Sequence, residues 1–493
     1  MKRIPTLILF FATIKLVVQL LGNRNYGFHR DELLHLSVGE HLDWGFMEFP
    51  PGIAFLGKLS HVLFDASLMG TRLFPTIAGV LILILCCQMA LALGGKYRSV
   101  LLAAMCILAF LPFYRNHTLF QPVAFDQLWW TLGFYLLIRY VNSEKPVFLL
   151  LTGLVLGLGL MTKYTMLVWA FGIFIGLLFP PTRKVFRSPW LYAGGILALV
   201  IWLPNLLWQW EHEFPLFRHL QALQTGQEGS SPQVDFMLNQ LILPATFVVS
   251  VIGAGALLSW QKYRSLGVAA LIIFFTLLML GAKSYYVFAV YPVLFAAGSV
   301  KLEQWMMQKK MTWTYLLAAS ILVPFIPFIP QLTPILPIET FVKYEGLEPQ
   351  NCRYELTSDY ADMFGWEEQA QLVDSVYRSL SPEDQVSCVI WAENYGEAGA
   401  IKILGKSYGL PNPISRHGSF WNWGYGNPDA SVWISLGNEF PAVNDVFEEV
   451  LLIKMIYHPY AIDEEHNIPL YLCRNPKVDI PKWWQEYKPY VFQ

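Results

Sequence analysis

A run of four polar residues, His29-Arg30-Asp31-Glu32, follows the first apolar segment of the chain. The run holds two adjacent carboxylates and two potential cations, which is more than a helix needs to anchor itself at a membrane surface. Carboxylates placed at the water–lipid boundary can accept protons from a substrate. The competing interpretation is that the two acids cap the N-terminus of a helix, where negative charge is favoured.

The composition defines the class of protein. The chain has 493 residues, of which 55% are hydrophobic and 14% are charged. Soluble domains carry about 25% charged residues, so a polytopic membrane protein is predicted. The net charge of −2 gives no reason to invoke nucleic acid. The high apolar density ends near residue 337, so we predict a membrane domain over 1–337 and a soluble C-terminal domain over 338–493.

About eleven apolar segments approach the roughly 20 residues that a membrane-spanning helix needs. Their centres lie near residues 13, 82, 107, 133, 154, 172, 198, 249, 273, 293 and 321. Lys and Arg residues fall in alternate connecting segments, at 2–3, 96–98, 139–145, 183–187, 262–264 and 301–310. Because cytoplasmic loops are enriched in basic residues, this alternation predicts a cytoplasmic N-terminus and an extracytoplasmic C-terminal domain.

The segments predicted on the outer side hold most of the unusual polar residues. The longest of these in the N-terminal half, 23–69, contains apolar patterns at 33–42 and 53–64 on either side of Pro50-Pro51. Helices lying in the membrane interface fit both patterns, and the proline pair ends the first. Further polar residues lie at 115–126, 163–164, 208–219 and 283–286, and a helical bundle could bring them around one cavity.

Several of these segments resemble a known family. The sequence YGFHRDEL at 26–33, residues 40–46 and Pro50-Pro51 resemble the first outer loop of bacterial dolichyl-phosphate-mannose-protein-mannosyltransferase-like enzymes. These enzymes, which include the lipid A aminoarabinose transferases, belong to the GT-C class of glycosyltransferases. The resemblance continues at 71–75, 157–164, 203–208 and 282–286, and in the C-terminal part at 362–368, 394–400 and 408–411.

This resemblance implies a polytopic GT-C helical bundle in the bacterial cytoplasmic membrane. The implied reaction is transfer of a hexosyl or pentosyl group from a polyprenyl-phosphate monosaccharide, with inversion, at the outer face of the membrane. The acceptor is left open among cell-envelope lipids, glycans and proteins. A transporter or flippase of lipid-linked sugar is the alternative, and a non-enzymatic assembly protein is a third hypothesis.

The resemblance also suggests roles for individual residues. Asp31 is the candidate base that deprotonates the acceptor, and Glu32 is the candidate for orienting it. The candidates for binding the donor phosphate are Arg72, Lys163 and Lys283, and those for contacting substrate are His29, Arg30, Tyr164, Tyr285 and Tyr286. The competing roles are helix capping for the acids, interfacial anchoring for Arg72 and an aromatic belt for the tyrosines.

Neither a metal site nor a cofactor is predicted. The sequence leaves open whether a divalent cation is used, because some GT-C enzymes use one and His29 and His35 lie near the two acids in the sequence. A related lipid A-modifying branch often has Lys before the proline pair, where this chain has Phe49.

The C-terminal part reads as an α/β domain. Its periodicity predicts helices near 365–380 and 395–405, and strands near 386–391, 431–436 and 468–473. An aromatic, glycine-bounded loop at 419–424 is suited to stacking on a sugar ring.

Overall fold

The computed structural model describes residues 3–218, 232–241 and 243–486. Lys2, part of the basic N-terminus in the prediction, lies outside the described residues. The apolar part of the chain is helical, since a backbone surrounded by lipid must satisfy its own hydrogen bonds. Its helices are α1 (Arg3–Gly22), α2 (Arg30–Glu40), α3 (Gly52–Phe64), α4 (Leu68–Ala92), α5 (Tyr97–Ala109), α6 (Pro112–Asn116), α7 (Pro122–Ser143), α8 (Val147–Leu160), α9 (Met166–Leu177), α10 (Pro189–Glu211), α11 (Pro232–Leu241), α12 (Pro244–Ser259), α13 (Arg264–Met279), α14 (Tyr291–Trp305) and α15 (Met311–Leu322).

Every segment that the sequence predicts as a span contains a helix, namely α1, α4, α5, α7, α8, α9, α10, α12, α13, α14 and α15. Among the described residues, 6 helical stretches are long and apolar enough to cross a membrane alone, or 7 if the bent pair α11 and α12 forms one span. The prediction of a polytopic helical membrane protein is therefore confirmed. The count of about eleven spans stays a prediction.

The basic connecting segments meet at one end of the bundle. Arg98 Nη2 donates to the Lys309 carbonyl oxygen at 2.8 Å. The Glu303 carboxylate accepts from the Lys96 backbone N–H at 2.6 Å. Lys184 pairs with Glu144 at 2.6 Å between two further basic segments. The polar outer segments of the prediction gather at the opposite end, against the C-terminal part. The basic connecting segments and the polar connecting segments, which alternate along the chain, therefore lie at opposite ends of the bundle, as expected.

The first outer loop forms the two expected helices, α2 and α3. Gly39 and Gly57 allow them to cross closely, because a Cβ on Gly39 would lie 2.7 Å from the Gly57 carbonyl carbon. The position of α2 and α3 at the membrane interface stays a prediction, and α2 is packed within the protein. Its apolar residues are buried, since α3 covers one side and a helix of the C-terminal part covers the other.

The C-terminal part is built around one mixed four-stranded sheet in the order β1-β2-β4-β3. Strand β1 (Val389–Ala392) pairs parallel with β2 (Val432–Leu436), and β4 (Asn467–Pro476) pairs antiparallel with β2 and with β3 (Phe447–Tyr457). The helices are α16 (Ile338–Glu345), α17 (Ser358–Ala361), α18 (Trp366–Ser379), α19 (Pro382–Ser387), α20 (Tyr395–Ile403), α21 (Phe440–Val446) and α22 (Ile480–Glu486). Both predicted helices and all three predicted strands are present, whereas β3 was not predicted.

The C-terminal part also packs on the first outer loop. Gly399 of α20 sits against Leu33 of α2, where an added Cβ would come within 2.7 Å of the Leu33 Cβ. The boundary at residues 337 and 338 stays a prediction. The two parts nevertheless share a buried interface between α2 and α20, and this interface borders the candidate site.

Candidate active site

A cavity of about 1120 Å³ lies where the end of the bundle that holds α2 and α3 meets the C-terminal part. Its lining comes from segments far apart in the chain: the first outer loop, the starts of α7 and α9, the ends of α10 and α13, and the C-terminal part. The sequence-predicted residues on its wall are Arg30, Asp31, Lys163, Tyr164, Lys283, Tyr285 and Tyr286. Polar segments that are separate in sequence thus meet at one cavity, although Arg115, His117 and Asp126 of the segment 115–126 do not line it.

Asp31 lies in the first turn of α2 with its carboxylate held from two sides. Oδ2 accepts a hydrogen bond from Gln121 Nε2 at 2.7 Å, and Oδ1 accepts one from the Tyr395 hydroxyl at 2.9 Å. Burial alone would raise the pKa of Asp31, but the electrostatic interaction with His29 and the hydrogen bond from the Tyr395 hydroxyl lower it overall. The carboxylate is therefore ionised at neutral pH, as a base must be.

His35 faces the same cavity one helical turn after Asp31 and was not among the predicted site residues. Its Nδ1 lies 2.8 Å from the Phe120 carbonyl oxygen. A carbonyl only accepts, so Nδ1 carries the proton and Nε2 keeps a free lone pair. Burial lowers the pKa of His35, which keeps the ring neutral. The spacing of four residues from Asp31 was the signal in the sequence, because it places both side chains on one helix face.

Glu48 is a second carboxylate on the cavity wall that the prediction left out. It accepts hydrogen bonds from the Ser419 backbone N–H at 2.6 Å and from its hydroxyl at 2.5 Å. Burial raises the pKa of Glu48 above its usual value. Because both partners belong to the C-terminal part, Glu48 fastens the end of the first outer loop to that part.

Lys163 and Lys283 supply the positive charge of the membrane side of the cavity. The Lys163 ammonium lies 4.3 Å from the ring centre of Tyr286 and 5.2 Å from that of Tyr285. Among the described residues, no carboxylate lies within ion-pair distance of either lysine. Two cations that face a cavity with no carboxylate at ion-pair distance in the described part of the chain can bind an anionic ligand.

Tyr164 supports the wall beside Lys163. Its hydroxyl donates to Asn205 Oδ1 at 3.0 Å and accepts from Gln209 Nε2 at 3.0 Å. The two partners lie on α10, so the phenol joins α10 to the loop between α8 and α9. Tyr164 thus lines the cavity while both hydrogen-bonding functions of its hydroxyl are already used.

Glu32 and Arg72 lie outside the cavity lining and form an ion pair with each other. Both side chains are completely buried, and Arg72 Nη2 lies 2.8 Å from Glu32 Oε2. Glu32 also accepts from the backbone N–H groups of His29 and Phe120, each at 2.9 Å. Arg72 donates further to the Gly27 carbonyl oxygen at 2.8 Å. Both groups are therefore already bound within the protein, and we leave them out of the proposed catalytic and phosphate-binding set.

His29 and Arg30 contact the C-terminal part. The His29 ring caps α2 by accepting from the Asp31 backbone N–H at 3.1 Å, and its Nε2 lies 3.5 Å from Asp362. Arg30 Nε donates to Asp362 at 2.5 Å, and its Nη1 donates to Glu464 at 3.0 Å. Arg30 therefore lines the cavity as a paired cation, whereas His29 lies behind Asp31.

The C-terminal part contributes Glu393, Asn394, Tyr395, His417 and Glu464 to the cavity wall. The aromatic loop expected to stack on a sugar does not reach the cavity. It forms a short 3-10 helix, Gly418–Trp423. Within it, Phe420 is buried and Trp423 stacks on His41 with ring centres 4.1 Å apart. Its rings are thus engaged in packing against the protein.

The remaining wall of the cavity is apolar and extends to the surface of the bundle. It is formed by Leu167, Val168, Trp202, Leu206, Phe217, Leu277 and Leu280. Phe217 and Leu280 are each 63% exposed. Exposed apolar side chains beside a polar chamber suit an amphiphile whose hydrocarbon part stays in the bilayer. Among the described residues, no group of three or more His, Cys, Asp and Glu side chains is arranged to hold a metal ion.

Part of the chain matches a known sequence family. Residues 48–208 match the family model described as dolichyl-phosphate-mannose-protein mannosyltransferase. This region includes Glu48, Arg72, Lys163 and Tyr164. No curated protein matches the chain in sequence.

Comparison with solved structures extends the likeness to nearly the whole chain. ArnT from Cupriavidus metallidurans bound to undecaprenyl phosphate matches with a TM-score of 0.63 at 12% identity, over 94% of this chain and 97% of that one. The Archaeoglobus fulgidus oligosaccharyltransferase in complex with Zn and sulfate matches with a TM-score of 0.51 at 12% identity, over 87% and 67%. AglB from the same organism, in complex with an inhibitory peptide and a dolichol-phosphate, matches with a TM-score of 0.50 at 11% identity, over 88% of this chain and 69% of that one. At these identities the likeness concerns the fold.

Proposed function

We propose that this chain, a mannosyltransferase-like membrane glycosyltransferase of the GT-C superfamily, transfers a sugar from a polyprenyl-phosphate donor to a hydroxyl acceptor. The observation that carries the proposal is the position of Asp31. Its ionised carboxylate lies in a chamber that also holds two lysines, which have no carboxylate at ion-pair distance among the described residues, and an apolar wall that reaches the surface of the bundle. A base, an anion site and a hydrocarbon surface are the three features that such a transfer requires.

The apolar wall supports a donor lipid in the bilayer. The ArnT structure named above holds undecaprenyl phosphate, and the AglB structure holds a dolichol-phosphate. By analogy, the prenyl chain would lie along Phe217 and Leu280 while its phosphate faces Lys163 and Lys283. Lysines bind phosphate as compact point charges, and their field stabilises the negative charge that grows on the departing phosphate.

Asp31 would act as the general base of a single displacement. The carboxylate takes the proton of the acceptor hydroxyl as that oxygen forms a bond to the anomeric carbon of the donor sugar. The bond between this carbon and the phosphate oxygen breaks at the same time, and polyprenyl phosphate leaves with the electron pair. The configuration at the anomeric carbon is thereby inverted, and Asp31 is protonated at the end of the step. The hydrogen bonds from Gln121 and Tyr395 hold its carboxylate in one orientation during the step.

The orientation of the chain belongs to the same proposal. With the basic end of the bundle in the cytoplasm, the cavity and the C-terminal part lie at the outer face of the bacterial cytoplasmic membrane. The acceptor is then a cell-envelope lipid, glycan or protein.

Transfer of labelled sugar from a panel of polyprenyl-phosphate monosaccharides tests the proposal. Membranes would contain either the native chain or Asp31→Asn, and we expect the variant to lose activity by about 10²- to 10⁴-fold. Asp65→Asn is a matched control, since Asp65 is exposed in the same loop and its left-handed backbone tolerates Asn. Equal transfer by native chain and Asp31→Asn would remove Asp31 from the chemistry. Movement of the lipid-linked sugar across the bilayer without transfer would favour a flippase.

A further inference from the structure

Charge is distributed unevenly around the cavity. We call the five lining residues from the C-terminal part, Glu393, Asn394, Tyr395, His417 and Glu464, the roof. The lysines of the lining, Lys163 and Lys283, both come from the membrane side. The roof carries two carboxylates, and among its described residues there is neither Lys nor Arg.

The one other cation of the described lining, Arg30, offsets one roof carboxylate, Glu464, and is shared with Asp362. Its Nε and Nη1 are already paired with Asp362 at 2.5 Å and with Glu464 at 3.0 Å. Glu393 has no cation within ion-pair distance among the described residues. Burial and the neighbouring Glu439 and Glu464 raise the pKa of Glu393, and Arg416 offsets this only in part. Arg30 thus faces two carboxylates, Asp362 and Glu464, and Glu393 adds a third, so this side of the cavity keeps a surplus of negative charge.

We propose that the roof is the acceptor subsite, and that it selects a hydroxyl compound bearing an amine over one bearing a phosphate. This inference rests on the proposed function, because it assigns the lysine side of the cavity to the donor phosphate. The acceptor hydroxyl must reach Asp31, which lies under the roof through its bond to Tyr395. A group next to that hydroxyl then faces Glu393 and Glu464.

The physical basis of the selection is like-charge repulsion in a partly enclosed space. A phosphate under the roof would lose hydration and meet two carboxylates, with Arg30, already paired to one of them, as the nearby cation of the described lining. An ammonium would be attracted by the same carboxylates. One charge pair at about 4 Å contributes about fivefold in affinity even at the dielectric constant of water, and more in an enclosed chamber.

Equilibrium binding to the purified full chain in detergent, without donor, tests the subsite. The probes are three decyl glycosides that share one scaffold: the glucoside, the 2-amino-2-deoxyglucoside and the glucoside 6-phosphate. We expect the amine to bind severalfold more tightly than the glucoside, and the phosphate to bind at least about tenfold more weakly than the amine. In Glu393→Gln/Glu464→Gln, amine and phosphate should bind within about threefold of each other.

Matched variants control for net charge and for folding. Glu448→Gln/Glu449→Gln removes two exposed carboxylates from β3, outside the cavity, and should keep the native order of affinities. Glu464→Gln alone, at a side chain that is 70% exposed, should reduce the preference if the double variant does not fold.

Three results would overturn the inference: the phosphate binding as tightly as the amine, the native order persisting in the folded roof variants, or no binding of the amine probe. Since no donor is present, these results are independent of the transfer assay. Failure of the proposed function would appear instead as absence of Asp31-dependent transfer.

Discussion

The Tyr395 hydroxyl donates a hydrogen bond to Oδ1 of Asp31 at 2.9 Å, across 364 positions of the chain. This bond joins the C-terminal part to the proposed base in the first outer loop. It also stabilises the ionised form of the carboxylate and contributes to the lowered pKa of Asp31. The C-terminal part is therefore expected to position the base as well as to cover the cavity.

Tyr395→Phe tests this positioning role. Loss of a hydrogen bond to a charged group costs about 1.5–3 kcal/mol, so the pKa of Asp31 should rise by about one to two units. Because the base works only when ionised, the acidic limb of the kcat/KM profile should move to higher pH by the same amount. The measurement is sugar transfer as a function of pH, with Tyr408→Phe as the control, since Tyr408 bonds the exposed Glu367 instead. An unchanged profile with a uniform loss of rate would assign Tyr395 to the fold alone.

Lys163→Met and Lys283→Met should each weaken use of the donor. Either change removes a cation that faces the cavity, and we expect kcat/KM for the donor to fall about 10- to 100-fold, or about 1.4–2.7 kcal/mol. Lys163→Arg keeps the charge and should retain part of the activity. Lys58→Met provides the control, because Lys58 is exposed on α3 outside the cavity. Native kinetics in both methionine variants would place the donor phosphate elsewhere.

Glu32→Gln should reduce stability rather than chemistry. Removing one charge of the completely buried pair leaves Arg72 without a counter-ion, and breaking such pairs costs about 3–5 kcal/mol. Thermal unfolding in detergent should show a lower Tm, and Glu32→Gln/Arg72→Met should recover part of it. Glu144→Gln, which removes the exposed ion pair between Glu144 and Lys184, should leave the Tm unchanged. A Glu32→Gln protein with native Tm but no transfer would return Glu32 to the catalytic set.

Local sequence signals were sufficient for the helices and for part of the site. Apolar length located the helical segments, and the polar run at the start of α2 contains the proposed base. The sequence allowed two interpretations of the acids in that run, catalysis and helix capping, and the structure gives one acid to each. Asp31 faces the cavity, while Glu32 caps the helix and pairs with Arg72. No local pattern separates the two, because the difference depends on which groups the fold places opposite each carboxylate.

Long-range contacts account for the rest. Nothing near Tyr395 in sequence indicates that it reaches Asp31, since the contact depends on how α20 docks on α2. Strand β3 did have a local signal, an apolar run at 450–453, but the charged residues Glu448, Glu449 and Lys454 around it obscured the strand. It is an edge strand with mostly exposed side chains, so its pattern lacks the alternation of a half-buried strand.

Two buried carboxylates in the C-terminal part make its stability depend on pH. Glu465 accepts hydrogen bonds from Asn394 and Gln369, and Glu397 caps α20 with one oxygen that has no partner. Burial and mutual repulsion raise the pKa of Glu397, and burial raises the pKa of Glu465 to about 7. The folded state therefore binds a proton that the unfolded chain releases near pH 4.5.

It follows that the C-terminal part should lose stability as pH rises from about 4.5 through about 7, because the unfolded state binds fewer protons over that range. Glu397→Gln removes one of the two charges and keeps the cap, since the amide oxygen can accept from the same backbone N–H groups. We expect the Tm of the variant to exceed that of the native chain at pH 8 and the difference to shrink towards pH 5. Thermal unfolding in detergent across this range measures both curves. Two results together would contradict this link between pH and stability. The Tm of the native chain would stay constant or rise from pH 5 to pH 8, and Glu397→Gln would be no more stable than the native chain at pH 8.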